Sequence, residues 1–172
     1  MARRRRYRIG TWAVAAALAT ASGCNSPIDP AASSSVSLDM VALDAPVVGS
    51  TLDPGATECR ADVASWSADL FAHFDSPQLI TPFDNVILTS VTVSHDWNSA
   101  GPTPDRTELV ATTIPMFETE TVSFDPIDPN DLDAGHFGDR ATIAIVFRGT
   151  TIAGEPVALR VTDTLTVDAC PN

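Results

Sequence analysis

The sequence predicts an all-β fold, a single β-sandwich of about seven strands. Three observations carry this. Apolar residues recur at every second position in several runs, valine and threonine are concentrated in those runs, and Pro, Gly, Asp or Asn clusters bound them.

The first strand is expected over 36–43, where Val36, Leu38 and Met40 alternate with Ser37 and Asp39. The second spans 61–74. There Trp66, Ala68, Leu70, Ala72 and Phe74 share one parity, while Val63, Trp66, Leu70 and Phe74 also fit helical spacing. The alanines favour helix and the all-β surroundings favour strand; strand is the reading taken. The third covers 85–97, with Val91, Val93, His95 and Trp97 on one face. Shorter strands follow at 107–113 and 119–125. The sixth, 140–149, alternates Ile143, Ile145 and Phe147 with Thr142, Ala144 and Val146. The seventh, 156–168, forms a hairpin with it across AGEP. Asp163 breaks that strand's apolar parity, so a bulge or an inward carboxylate with a partner is expected there.

Ahead of the domain, MARRRRYR supplies five arginines, and residues 9–21 follow without a charge. Thirteen residues are too few to cross a bilayer as a helix, which needs about 20, but they match the apolar core of a secretory signal. The stretch ends Ala21-Ser22-Gly23-Cys24. This resembles the lipobox of bacterial lipoproteins, with Ala21 standing where that family prefers Leu or Val. The resemblance implies that residues 1–23 are removed and that Cys24 is lipidated and becomes the N-terminus. The arginine run leaves twin-arginine export open. Two or more acyl chains give stable anchoring where one does not. Residues 24–35 are rich in Pro, Ser, Ala and Asp and read as a flexible tether, so the domain is expected over 36–172. The expected location is the bacterial cell envelope, outside the cytoplasm. Asn25 offers no aspartate retention signal, and which membrane holds the anchor stays open.

Removing residues 1–23 changes the charge. Five arginines remain against 22 acidic residues, a formal net of −17 with no lysine. Such a surface repels nucleic acid and anionic lipid and serves solubility. The two remaining cysteines, Cys59 and Cys170, are expected to form one disulfide in an exported compartment. A Cys–Cys metal site is the alternative, without CxxC or HxxxH spacing to support it.

The run FDNVILTSVTVSHDW, followed later by ATIAIVFRGTTIAGEPVALRVTDTLTV, resembles immunoglobulin-like domains of bacterial lipoproteins over about residues 60–168. The resemblance lies in strand grammar and the FRGTTIAGE hairpin. It implies an immunoglobulin-like sandwich and no particular activity.

No GxSxG, Walker, HExxH or GxGxxG motif occurs. The expected function is therefore a non-enzymatic interaction or structural module of the envelope. A hydrolase would require His73 and His95 to meet a carboxylate in a pocket. The loop DPIDPNDLDAG places Asp125, Asp128, Asn130, Asp131 and Asp133 as hard oxygen donors for calcium, although the EF-hand register fails at Leu132 and Asp133. Asx and proline turns explain the same residues. Trp97, before Asn98-Ser99-Ala100-Gly101, is a candidate contact for a glycan or peptide, or a tryptophan capping the core. Beyond calcium no cofactor is expected. The expected partners are the membrane, through Cys24, and an envelope protein or glycan.

Overall fold

A computed structural model describes residues 35–53, 57–76 and 79–171. The expected signal segment, Cys24 and the tether up to residue 34 lie outside them. The described chain forms nine strands: β1 (Val36–Asp44), β2 (Gly49–Thr51), β3 (Arg60–Asp62), β4 (Trp66–Phe74), β5 (Val86–Trp97), β6 (Arg106–Ile114), β7 (Thr119–Phe124), β8 (Arg140–Thr151) and β9 (Pro156–Thr166). Two single 3-10 turns, Pro82–Asp84 and Pro129–Asp131, interrupt the loops.

The strands build a sandwich. One sheet has the order β1-β4-β7 and the other β6-β5-β8-β9, with β2-β3 as a separate ribbon. All neighbouring strands are antiparallel. Without the ribbon, the seven long strands pair as first-second-fifth and fourth-third-sixth-seventh. A constant-type immunoglobulin domain sets its fourth strand beside its fifth; here β6 pairs with β5 instead.

Alternation produces the core. β4 buries Trp66, Ala68, Leu70 and Ala72, and β8 buries Ile143, Ile145 and Phe147 against them. Trp66, Phe124 and Phe147 meet edge to face, with centroids 6.4 and 5.8 Å apart, a geometry that adds to simple area burial. The indole N–H of Trp66 donates to the Pro46 carbonyl at 3.0 Å, so its polar atom is satisfied inside.

Two details differ from the sequence reading. The strand expected over 61–74 divides, because Val63–Ser65 leave the ladder between β3 and β4. Past Asp44 the first strand crosses to the other sheet. Val48 makes a parallel bridge to Val167, its N–H donating to Thr166 O at 3.0 Å. Asp163 is not at a bulge. It pairs in register with Ile143 on the parity of Leu165, and its carboxylate accepts the Thr164 N–H at 2.7 Å. An inward charge on edge strand β9 discourages another strand from adding there. Edge strand β1 carries a bulge between Met40 and Ala42 to the same end.

The register places the loops at two poles. The starts of β1 and β5 and the end of β4 share one pole with the turns 115–118 and 152–155. The loops 98–105 and 125–139, the β2–β3 ribbon and the segment after β9 share the other.

Candidate functional site

The second pole holds nearly every residue singled out from sequence. Cys59, just before β3, is bonded to Cys170, just after β9, with Cα atoms 6.0 Å apart. The disulfide closes a 111-residue separation. It forms one wall of a cavity of about 430 Å³, which Leu132 and Phe137 line from the apolar side and Glu58 and Asp133 from the acidic side. That volume lies in the range of small-ligand sites. Replacing Cys59 and Cys170 together by serine is expected to lower unfolding stability by about 2–4 kcal/mol. Urea denaturation with and without reductant checks this: reductant should destabilise the parent and leave the variant unchanged.

Trp97 ends β5 on the inner parity and is half-buried against the core. Its indole N–H donates to Thr103 Oγ1 at 3.0 Å. The His136 ring stands edge-on to it at 4.6 Å, and the His95 ring lies nearly parallel at 6.1 Å. Trp97 thus caps the core within a cluster of aromatic rings.

His136 is buried, with only 2% of its surface exposed. Its Nε2 lies 3.0 Å from the Gly101 carbonyl and so carries a hydrogen. Its Nδ1 lies 3.0 Å from the Asp133 N–H and 2.7 Å from Asp133 Oδ1. The neutral ring accepts the first; the imidazolium donates to the second. The ring pins the 98–105 loop to the 125–139 loop. Asp139 reinforces this by accepting the N–H groups of Ser99 at 3.0 Å and Ala100 at 2.8 Å. Sequence reasoning missed His136, Thr103 and Asp139 as a unit. The segment Gly135-His136-Phe137-Gly138-Asp139 was the available signal, but nothing in it points 35 residues back along the chain.

The acidic loop is built around an arginine. Asp125 accepts from Arg106 at 3.0 Å and from Ser65 at 2.7 Å. Asp128 lies 3.7 Å from Arg106 and accepts the backbone and side-chain N–H groups of Asn130 at 2.9 and 2.8 Å. Asp133 accepts the Gly135 N–H at 2.9 Å. Asp131 closes the 3-10 turn with its own N–H to the Asp128 carbonyl at 3.0 Å. Among the described residues, no three His, Cys, Asp or Glu side chains are grouped to hold a metal ion. Asp125, Asp128, Asp133 and Asn130 make Asx turns and an ion-pair cluster.

His73 and His95 do not meet. His73 is on the outer parity of β4, 3.1 Å from Asp39. His95 is on the inner parity of β5, its Nε2 donating to the Pro126 carbonyl at 2.9 Å.

Burial holds the His95 pKa below its ordinary 6.5, against the opposing pull of the Pro126 carbonyl and of Asp105 and Asp131. Asp139, Asp133 and Asp128 are held below the ordinary carboxylate value, first by the backbone N–H groups of Ala100, Gly135 and Asn130 respectively. The signs follow from linkage. Below pH 6.5 the unfolded chain protonates His95 before the folded one, so stability falls as pH drops from 6.5. The three carboxylates stabilise the fold above the unfolded value of 3.8 and lose that contribution as pH falls through their lower folded values. The melting temperature is therefore expected to fall in two acid steps. His95→Gln should remove the step that begins as pH drops below 6.5 and keep the lower one, which a melting series from pH 3 to 8 would resolve.

No protein-family model, no curated protein and no solved structure matches this chain.

Proposed function

We propose that this chain is an exported bacterial lipoprotein, anchored through lipid on Cys24, whose immunoglobulin-like sandwich is a non-enzymatic interaction module of the cell envelope. One observation carries this reading. The chain enters the domain at Ser35, at one pole, while the disulfide-walled cavity and the cross-pinned loops stand at the other. A tether at one end and a built, concave surface at the other suit a module that presents its far pole to a partner. The three- and four-stranded antiparallel sheets over one core and the FRGTTIAGE hairpin support the immunoglobulin-like description, with the fourth long strand moved beside the third. His73 lies on the outer face of β4 near the tether pole and His95 on the inner face of β5 near the far pole, so the histidine pair that a hydrolase would use does not form, which supports the non-enzymatic one.

The test is the intact mass of protein extracted from membranes. The expected chain begins at Cys24 and carries added lipid mass, and Cys24→Ala should move the protein out of the membrane fraction. An unlipidated chain would overturn the anchor. A photoreactive residue in place of Glu58, at the cavity rim, should then give discrete adducts with an envelope protein or glycan. The same residue in place of Thr113 should not.

A further inference from the structure

The pole nearest the tether carries an apolar surface. Leu79, Ile80, Phe83, Ile87, Phe117 and Ile152 are six of the ten large apolar side chains exposed among the described residues, and all lie at or beside this end. Leu79 is 92% exposed, Phe83 62% and Phe117 48%. Isolated exposed apolar residues are ordinary, but a concentration of them marks a contact surface.

The surface is held in place by specific bonds. The Ala153 N–H donates to the Phe83 carbonyl at 3.0 Å and the Ile152 N–H to the Asn85 carbonyl at 3.0 Å. Asn85 also accepts the Met116 N–H at its side-chain oxygen, at 3.1 Å. Phe117 adopts φ +62°, a left-handed conformation rarely taken by a bulky residue, and its ring packs 6.0 Å from Phe74. Strain of this kind persists only where the surroundings enforce it and clusters at contact sites.

The start of the domain identifies the occupant. The Asp75 N–H donates to the Ser35 carbonyl at 3.3 Å, so the chain leaves the domain at the rim of this surface. Residues 24–35 span at most about 40 Å when fully extended, and about 20 Å on average as a coil. We infer that the apolar pole formed by Phe83, Ile152, Phe117 and the 79–80 segment docks on the surface of the membrane that holds the Cys24 lipid. This rests on the lipoprotein reading above. The contact is apolar and acts against the acidic surface: Asp75, Asp84, Glu118 and Glu155 lie in the turns of this pole, Arg148 and Arg160 lie within β8 and β9, and Arg60, Arg106 and Arg140 stand toward the other pole. It therefore persists at high salt, unlike a polybasic attachment.

The experiment uses the lipidated full-length mature protein in vesicles of phosphatidylethanolamine and phosphatidylglycerol doped with brominated lipid. Phe83→Trp and Ile152→Trp place an indole on the surface, and Ala100→Trp places one at the far pole. Emission of the parent, from Trp66 and Trp97, is subtracted. Burial of about 5–10 Å into the headgroup boundary brings the indole within reach of bromine, so the added emission at 83 and 152 should fall by about half. It should stay unquenched at 100, and both results should survive 1 M salt (about a 3 Å screening length). Equal quenching at both poles, or none at 83 and 152 in a chain whose mass shows the lipid, would overturn docking and leave the anchor standing. Blue-shifted, unquenched emission that grows with protein density would mean that a second copy covers the pole, and would also overturn it. A chain without lipid would overturn both readings.

Discussion

Gly149→Ala is expected to destabilise the domain by about 3 kcal/mol or more, at the upper end for overpacking. Gly149 lies in β8 opposite Leu88, where β5 takes up an extra residue, Thr89, before the register resumes at Ser90 and Arg148. The bulge presses the β5 backbone toward β8. A Cβ on Gly149 would run into the Ile87 carbonyl and come within 3.0 Å of Leu88 Cα. Both obstacles are backbone in the centre of a four-stranded sheet, so no side-chain rotation relieves them. The Thr89 hydroxyl closes the bulge by donating to the Arg148 carbonyl at 3.1 Å, which fixes the backbone further. Gly101→Ala is the control: its Cβ would meet nothing within 4 Å, and its effect should stay within about 0.5 kcal/mol. Urea denaturation followed by far-UV circular dichroism measures both. A Gly149→Ala protein as stable as the parent would mean that the bulge relaxes at no cost.

Trp66→Ala is expected to remove about 3–5 kcal/mol, a large share of the roughly 5–15 kcal/mol available to a domain. Trp66 is buried beside Phe124, and its N–H holds the Pro46 carbonyl where β1's continuation crosses between sheets. Truncation opens a cavity among residues that cannot collapse into it and releases the crossing segment. Trp66→Phe separates the two causes. It keeps most of the packing and loses the hydrogen bond, so it should cost about 1–3 kcal/mol. In both variants the denaturation midpoint should shift with little change in slope.

How much of this was legible depends on the range of the signal. Every long strand showed itself because its alternation is local. Ile143, Ile145 and Phe147 declare a buried face without reference to any neighbour. In 61–74 the local signal was double, since alanines at 68 and 72 suit a helix; the sheets settle it by burying both at 0% exposure on the inner face of β4. β2 is Gly49-Ser50-Thr51, three residues with no apolar alternation to read. The disulfide was legible because two cysteines leave one pairing. The site was less so. The acidic loop stands out in composition, yet its organiser, Arg106, lies 19 residues from Asp125 in another strand. His136 lies between strands in Gly135-His136-Phe137-Gly138, and its burial depends on Gly101 and Trp97 arriving from across the pole.

The covalent link between Cys59 and Cys170 encloses almost the whole sandwich. A protease that cuts once anywhere in the interval, in the 98–105 loop for example, produces two pieces that remain joined. Neither piece leaves the N-terminal segment. Only a cut before Cys59 detaches the body, which confines its release from the N-terminal segment to the residues ahead of β1, to β1 and its crossing, to β2, and to the stretch that leads from β2 to Cys59.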